Sequence, residues 1–294
     1  MFPLPGNSSK IEDKSFPNKN TLQFDGRLFN LNKPQLMGIV NLTPDSFFEG
    51  SRTEKSLEIL ATLVHQHISN GATLLDLGGY SSRPGALEIS LQEEIDRVIP
   101  AVEWVATNYP DTIISVDTFR AKVAELAVGA GAQLINDISA GDLDKDMIPT
   151  VAKLQVPYIA MHMRGNPQNM QEKTNYSDIL EEILYYFAEK LEQFRKFGIK
   201  DVIIDPGFGF AKTLDQNYFL LRNLHQFKEL SSPILVGVSR KSMIYKALEV
   251  EPDQALNGTT ALNMFALCHG ANILRIHDVK EANETLKLFN TLYP

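Results

Sequence analysis

The sequence predicts an α/β protein of the (β/α)8 TIM-barrel class, with an N-terminal hairpin extension. Short runs of consecutive apolar residues recur along the 294 residues, and helix-like stretches separate them. Continuous apolar runs are typical of parallel strands buried on both faces. Eight such strand–helix units match the repeat of a closed barrel. An open, doubly wound sheet is the alternative, although the G-x-G-x-x-G dinucleotide signature of that class is missing.

The eight units can be placed one by one. Strands are predicted at residues 35–41, 73–78, 112–117, 133–136, 157–161, 201–205, 233–237 and 272–276. Helices are predicted at residues 54–69, 91–107, 122–128, 146–154, 177–197, 215–229, 257–269 and 279–292.

Two segments precede the first unit. Residues 21–31, "TLQFDGRLFNL", predict a hairpin around the turn residues Asp25 and Gly26, and we expect it to close the bottom of the barrel. Residues 1–20 are rich in Pro, Asn, Ser and Lys and lack the apolar core of a signal peptide. The domain prediction is therefore a flexible segment at 1–20 and one barrel domain at 21–294.

The composition narrows the class of partner. The formal net charge is −8 and no long basic run occurs, so nucleic acid and anionic membrane surfaces are disfavoured. The single cysteine, Cys268, cannot form an internal disulfide. No run approaches the roughly 20 apolar residues that span a bilayer. These features predict a cytoplasmic protein that acts on small molecules.

Polar side chains end almost every predicted strand. In chain order they are Asn41, Asp76, Asp117, Asn136, His162, Asp205, the pair Arg240 and Lys241, and Arg275 with His277. The carboxyl ends of the strands form the face of such a barrel where catalytic residues lie. Each residue alone could cap a turn. Together they indicate one binding site.

Two chemistries occur in this set. Asp117, Asn136 and Asp205 supply acceptors, which suit a flat heterocycle with several N–H donors, such as a guanine or pterin ring. The second group is cationic and suits phosphate or carboxylate anions. Its members are Arg83, Arg240, Lys241, Arg275 and His277. Free N–H groups at residues 239–242, where a strand leads into a helix, add a further preference for anions.

Three loops carry residues of unusual type. "NLTPDSFFEGSR" and "GGYSSRPGA" combine Gly, Pro and Ser with the apolar tips Phe47, Phe48 and Pro84. Such loops can close over an aromatic substrate and exclude water; packing on the barrel rim is the alternative. In "DPGFGFAK", the glycines permit a tight backbone path beside a flat ligand, or a simple turn whose aromatics cover the barrel.

Eight motifs together resemble one family. They are "MGIVNLTPDSF", "DLGGYSSRPGA", "ISVDT", "INDI", "MHMRGNPQNMQ", "DPGFGFAK", "GVSRKSMI" and "RIHDVKE". In this order they closely resemble the dihydropteroate synthases, over roughly residues 35 to 282. The resemblance implies a TIM barrel that condenses 6-hydroxymethyl-7,8-dihydropterin diphosphate with 4-aminobenzoate in folate biosynthesis. It also implies Mg²⁺ dependence, a homodimer and a sulfonamide target.

The resemblance assigns roles to matching positions. Asn41 would contact Mg²⁺ on the diphosphate, assisted by Arg275 and His277. The pterin would contact Asp117, Asn136, Met161, Asp205, Phe210 and Lys241. The 4-aminobenzoate would contact Phe47, Ser82, Arg83, Pro84 and Ser242. The catalytic residues would be Asp117, Lys241, Arg275 and His277.

Departures from the family pattern leave alternatives open. The family usually has Glu at Tyr80, Thr at Ser82 and Asp at Glu49, all in loops near the second substrate. A non-catalytic pterin-binding paralogue is therefore an alternative. A methyltetrahydrofolate methyltransferase-like domain, which shares the pterin acceptors, is a second, although "GGYSSRPGA" and "SRKSM" argue against it. A lyase that uses Lys241 as a Schiff base is a third. The apolar stretch 261–274 is a candidate dimer interface.

Overall fold

A computed structural model describes residues 20–42, 54–83 and 85–294. The strands are β1 Thr21–Phe24, β2 Arg27–Asn30, β3 Gln35–Asn41, β4 Leu74–Gly78, β5 Ile113–Asp117, β6 Leu134–Asp137, β7 Tyr158–Met161, β8 Val202–Asp205, β9 Leu235–Val236 and β10 Ile273–Ile276. The helices are α1 Glu54–Ser69, α2 Leu91–Asn108, α3 Ala121–Gly129, α4 Met147–Leu154, α5 Ile179–Phe197, α6 Leu214–Arg222, α7 Ser242–Leu248, α8 Leu256–Cys268 and α9 Val279–Leu292.

The eight strands β3 to β10 form a parallel barrel, as predicted. Neighbours in the sheet follow the order β8-β7-β6-β5-β4-β3-β10-β9. The ring closes between β8 and β9 through a parallel bridge from Ile204 to Ile234. There the Ile204 N–H donates to the Pro233 carbonyl oxygen at 2.9 Å. Helices cover the outside, so the strands are buried on both faces and read as continuous apolar runs.

The predicted hairpin closes the N-terminal end of the barrel. Asp25 and Gly26 both have positive φ, at 47° and 80°, which is the backbone of the tight turn that Asp-Gly favours. Leu22, Phe24 and Leu31 pack into the barrel bottom. Their partners are the first inward residues of the eight strands: Met37, Leu74, Ile113, Leu134, Ile159, Ile203, Leu235 and Ile273.

Local signals in the sequence set the ends of the longer helices. The Ser90 hydroxyl accepts from the Glu93 N–H at 3.1 Å and starts α2. Asp178 does the same for α5, accepting from the N–H groups of Leu180 and Glu181. Gly198 ends α5 in the left-handed region, at φ 84°, where glycine has no steric cost.

Two elements differ most from their predicted extents. The helix expected at 215–229 ends as α6 at Arg222, and a 3-10 helix, Leu224–Leu230, follows. Asn223 separates them, because its side chain donates to the Phe219 carbonyl and caps the end of α6. The strand expected at 233–237 shrinks to β9, Leu235–Val236. Pro233 has no N–H to give to a ladder.

Candidate active site

The alternation of side chains along the strands explains where the site lies. In a strand, residues two and four positions beyond an inward residue also point inward. The bottom layer of the barrel is apolar. Two residues further along each strand, the next layer contains Ile39, Asp76, Ser115, Asn136, Met161, Asp205, Gly237 and Arg275. Four of the polar groups predicted from the strand ends therefore meet inside one barrel mouth: Asp76, Asn136, Asp205 and Arg275. The prediction is wrong for His162, which stands three positions beyond the inward Ile159, points outward and has its Nδ1 3.1 Å from Lys212 Nζ.

A buried carboxylate organises the middle of this layer. Asp76 is fully buried. Its Oδ1 accepts from the Ser115 hydroxyl at 2.6 Å, and its Oδ2 accepts from Asn136 Nδ2 at 2.9 Å and Arg275 Nε at 2.6 Å. Arg275 Nη2 also donates to Asp117 Oδ2 at 2.7 Å. Asp76 thus fixes the amide of Asn136 so that its oxygen is free to accept from a ligand.

The pKa values of two members of this network, Asp117 and Arg275, are shifted. Burial raises the pKa of Asp117 to about 7, with Arg275 opposing the shift and Asp76 adding to it. Burial lowers the pKa of Arg275, but its two carboxylate partners more than offset this and the net shift is upward. At neutral pH, the Arg275 guanidinium is charged and Asp117 is close to its titration point.

Asp205 and Lys241 lie on the neighbouring side of the mouth. Asp205 Oδ1 accepts from the Gly207 N–H at 2.8 Å, while its Oδ2 accepts nothing from the described residues. Lys241 Nζ donates to the Phe208 carbonyl at 2.7 Å and lies 4.9 Å from the centre of the Phe210 ring. Burial lowers the pKa of Lys241 to about 8, and the nearby Asp205 opposes that shift.

An apolar wall completes this side of the mouth, and it includes Met161 and Phe210, the two residues that the resemblance assigned to the pterin. Both belong to one cluster of buried side chains. Its members are Ile138, Met161, Met163, Met170, Phe210 and Ala211, with Phe119 and Leu143 packed against them. An aromatic side chain together with polarisable methionines suits an aromatic ring.

Two predicted cationic groups require correction. Burial lowers the pKa of His277 to about 4, and Arg275 adds to the shift, so the imidazole is neutral at pH 7. Its Nδ1 lies 3.0 Å from the Ser239 hydroxyl. Arg240 is not a free anion receptor, because it forms a bidentate pair with Asp278 at 2.8 and 2.7 Å. The sequence did not reveal this pair, since 38 positions separate the two residues.

The outer residues of the predicted site lie around the same rim. Asn41 ends β3 and is partly exposed. Arg83 is exposed, and Ser82 is half-buried in the loop after β4. Ser242 is the first residue of α7. Phe47 and Pro84, assigned to 4-aminobenzoate, lie outside the described residues, as do Phe48, Glu49 and residues 1–19.

Tyr80 has a defined place in the structure. Its ring packs edge-on against Phe119, with the ring centres 5.1 Å apart, and its hydroxyl accepts from Gln168 Nε2 at 3.0 Å. The Arg120 guanidinium lies 5.6 Å from the ring centre. Tyr80 therefore links the loop after β4 to the loop after β7, a role that its position in a Gly- and Ser-rich motif does not signal.

Sequence reasoning missed part of the central network. Asp76 was among the polar strand ends but had no assigned role, and Ser115 was not singled out. The available signal was spacing: both stand two residues after an inward apolar residue, Leu74 or Ile113. This spacing identifies inward positions even where a residue is not at the strand end.

The chain is similar in sequence to proteins of one known family. The family of pterin binding enzymes matches residues 37–277. The dihydropteroate synthase of Escherichia coli K12 is 42% identical over 265 residues, which cover 90% of this chain and 93% of that protein. The chain belongs to the dihydropteroate synthase family.

Solved structures support the same conclusion. The dihydropteroate synthase of Yersinia pestis, in complex with a sulfonamide drug, has a TM-score of 0.86 and 41% identity and covers 93% of this chain and 99% of its own. The Xanthomonas albilineans dihydropteroate synthase with 4-aminobenzoic acid has a TM-score of 0.86 and 36% identity, and the match covers 93% of this chain and 98% of that one. The resemblance and barrel class predicted from the sequence are thus confirmed. Within the described ranges, no helix is long and apolar enough to cross a membrane.

Proposed function

We propose that the protein condenses 6-hydroxymethyl-7,8-dihydropterin diphosphate with 4-aminobenzoate, giving 7,8-dihydropteroate and pyrophosphate. The observation that carries this proposal is the convergence of acceptors and cations in one mouth: Asp117, Asn136 and Asp205 beside Arg275 and Lys241. A pterin ring presents amino and ring N–H groups that such acceptors bind in pairs. The relatives cited above are dihydropteroate synthases, which disfavours the methyltransferase alternative.

The pterin ring lies against the apolar wall with its N–H edge toward the acceptors. Asp205 Oδ2 and Asn136 Oδ1 accept from the ring, and both are already oriented by protein hydrogen bonds. Lys241 donates to a ring acceptor. Met161 and Phe210 contact the ring face. Lys241 acts as a hydrogen-bond donor in this arrangement and forms no Schiff base.

The diphosphate lies at the outer rim, near Asn41, Arg275 and His277. The Ser239 hydroxyl accepts from the His277 backbone N–H at 3.2 Å, so it can donate its own proton to Nδ1. That assignment leaves the proton of the neutral ring on Nε2, where it can donate to a phosphate oxygen.

Mg²⁺ fits this donor set as a companion of the diphosphate. Within residues 20–42, 54–83 and 85–294, no group of three His, Cys, Asp or Glu residues could hold a metal alone. Mg²⁺ commonly takes one or two protein oxygens and fills its shell with water and substrate phosphates. The Asn41 side-chain oxygen can serve as that ligand. When bound, Mg²⁺ neutralises charge on the leaving diphosphate.

The reaction needs electrostatic stabilisation more than a nucleophile from the protein. The C–O bond breaks, the diphosphate leaves with the electron pair, and the positive charge spreads into the pterin ring. Asp117 and the neighbouring acceptors stabilise that charge. The amine of 4-aminobenzoate then attacks the exocyclic carbon and loses a proton. No covalent enzyme intermediate forms.

A pyrophosphate-release assay tests this function. We expect release over many turnovers only when the pterin diphosphate, 4-aminobenzoate and Mg²⁺ are all present. Product identity is checked by mass spectrometry of 7,8-dihydropteroate. If the folded protein binds pterin but releases no pyrophosphate, the non-catalytic paralogue is the correct interpretation.

Cytoplasmic location and homodimer formation are further proposals. The absence of a membrane-crossing helix among the described residues is compatible with the first. The predicted interface stretch, 261–274, keeps Leu262, Met264 and Phe265 half-buried on α8, which supports the second. Light scattering after gel filtration measures the oligomeric state.

A substitution at His277 separates diphosphate binding from ring recognition. We expect His277→Ala to weaken binding of the pterin diphosphate about 5- to 20-fold, because one hydrogen bond to the phosphate is lost. Binding of free hydroxymethylpterin should change little. Calorimetry with both ligands makes the comparison. Equal weakening for the two ligands would show that His277 does not serve the diphosphate.

Pterin affinity should depend on pH through Asp117. Burial raises its pKa to about 7, so the carboxylate is neutralised as the pH falls below that value and accepts less well from the ring. We expect binding of hydroxymethylpterin to be about tenfold weaker at pH 6 than at pH 7.5. Asp117→Asn should bind weakly and should lose no further affinity as the pH falls from 7.5 to 6. A parent affinity that is constant from pH 6 to 7.5 would contradict the role of Asp117.

The loop after β3 gives a further prediction, although Phe47 lies outside the described residues. We expect Phe47→Ala to raise the KM for 4-aminobenzoate while sparing pterin affinity, because an aromatic cover over the ring is lost. In the parent, 4-aminobenzoate should bind well only with pyrophosphate, Mg²⁺ and a pterin present. The measurement is a titration of 4-aminobenzoate with and without these three ligands. Equal affinities for 4-aminobenzoate in the two titrations would mean that its site is preformed.

A further inference from the structure

Lys212 is a buried ammonium that the proposed reaction leaves without a role. It follows β8 at the end of "DPGFGFAK" and is 3% exposed. Its Nζ donates to the Gly207 carbonyl at 2.9 Å and the Phe210 carbonyl at 3.0 Å, and lies 3.1 Å from His162 Nδ1. Among the described residues it forms no ion pair with a carboxylate. The three N–H groups of a lysine match these three acceptors, and a fourth, the His162 carbonyl oxygen, lies farther away at 3.4 Å.

The carbonyls that Lys212 holds belong to the loop that positions the pterin acceptor. Gly207 is held on both sides: its N–H donates to Asp205 Oδ1 at 2.8 Å and its carbonyl accepts from Lys212. Between Gly207 and Phe210, the Phe208 carbonyl accepts from Lys241 Nζ at 2.7 Å. One buried ammonium therefore fixes the backbone that orients both Asp205 and Lys241.

The loop needs such a fixed centre because its backbone is tight. Gly207 has φ 73°, and a Cβ there would lie 2.1 Å from the His162 carbonyl oxygen. Ala211 also has a left-handed backbone, with φ 48°. Buried carbonyls outside a helix or sheet need donors from elsewhere. Lys212 supplies donors for two of them at once.

Burying the Lys212 ammonium removes it from water, and this desolvation is unfavourable. Burial lowers its pKa to about 7, and the Asp205 carboxylate opposes the shift. An apolar side chain of similar length would avoid that desolvation. The buried amine is thus better explained by the Gly207 and Phe210 carbonyls that it holds than by packing.

We propose that Lys212 is a positioning residue for the pterin pocket: through the carbonyls of Gly207 and Phe210, it sets the orientation of the Asp205 carboxylate and the Lys241 ammonium. The proposal rests on the pterin site described above. Lys212 itself touches neither substrate. Its contribution reaches the ligand through Asp205 and Lys241, so it affects pterin and not 4-aminobenzoate.

The test compares two buried lysines. Lys212→Met should weaken binding of hydroxymethylpterin about 10- to 100-fold. The KM for 4-aminobenzoate, measured at saturating pterin diphosphate, should stay within about threefold of the parent. Lys190→Met is the matched control: Lys190 is also buried and holds the Ala140 carbonyl at 2.9 Å. It should lower the melting temperature but leave pterin affinity unchanged.

A double-mutant cycle separates positioning from general stability. If Lys212 acts through Asp205, the pterin loss of the double variant Lys212→Met, Asp205→Asn is smaller than the product of the two single losses. Should Lys212→Met fail to fold, Lys212→Gln, which keeps an NH₂ donor, is put through the same measurements. Parental affinity in a folded variant, or fully multiplicative losses, would overturn the proposal. A parent protein that binds no pterin would instead contradict the proposed function and the positioning role together.

Discussion

Arg275→Met is expected to lower the free energy of unfolding by about 3–5 kcal/mol at pH 8 and to abolish tight pterin binding. The guanidinium donates to Asp76 at 2.6 Å and to Asp117 at 2.7 Å. Without it, two carboxylates in the barrel interior lose their cation. Urea denaturation measures the first effect and calorimetry with hydroxymethylpterin the second.

The same variant should be less destabilised at pH 6. Burial raises the pKa of Asp117 to about 7, so this carboxyl is largely neutral at pH 6 and no longer needs its cation. Arg240→Met is the control, since Arg240 pairs with the single carboxylate of Asp278 and is more exposed. This variant should lower the free energy of unfolding by less than Arg275→Met does. Parental stability of Arg275→Met at pH 8 would show that the central ion pairs contribute nothing.

This geometry changes the expectation for Arg275. The sequence placed it with His277 on the diphosphate, as two donor groups flanking Ile276. In the structure, the Arg275 side chain donates a hydrogen bond to Asp117, which is one of the proposed pterin acceptors. Its removal should therefore weaken binding of the free pterin and of the pterin diphosphate alike. His277 remains the residue that distinguishes the two ligands.

Asp205→Asn is expected to weaken pterin binding by about 1.5–3 kcal/mol, or roughly 10- to 150-fold. The carboxylate is buried, and its Oδ2 accepts nothing from the described residues. Replacement by an amide removes the charge that binds the N–H edge of the ring. Calorimetry with hydroxymethylpterin at pH 8 measures the loss.

The fold should tolerate this change. Burial raises the pKa of Asp205, which means that the folded protein holds the charged form less readily than the unfolded chain does. Removing the charge should therefore leave the melting temperature equal or higher. Asp137→Asn is the control. Burial raises the pKa of this carboxyl too, but both of its oxygens accept from N–H or O–H donors, so an amide NH₂ would face a donor and the change should cost stability without altering pterin affinity. Unchanged affinity in folded Asp205→Asn would remove that residue from the pocket.

The sequence by itself determined the barrel and the face that carries the site. Apolar runs such as 35–41 and 272–276 show parallel strands directly, because burial on both faces removes polar residues from the strand interior. A polar residue that follows such a run then has a fixed position at the carboxyl end. Asp117 and Asp205 were predicted at the mouth for this reason alone, and the structure places them there.

Only the tertiary structure decided which polar groups pair and which are charged. Arg275 lies 199 positions from Asp76 in the chain, and Arg240 lies 38 from Asp278, so no local pattern reveals either pair. His277 looked cationic in the sequence but is neutral, because burial and Arg275 lower its pKa to about 4. Hydrogen bonding and desolvation depend on distances between side chains in space. The periodicity of a strand predicts which face each residue points to, but it does not predict which side chains from other strands will be its partners.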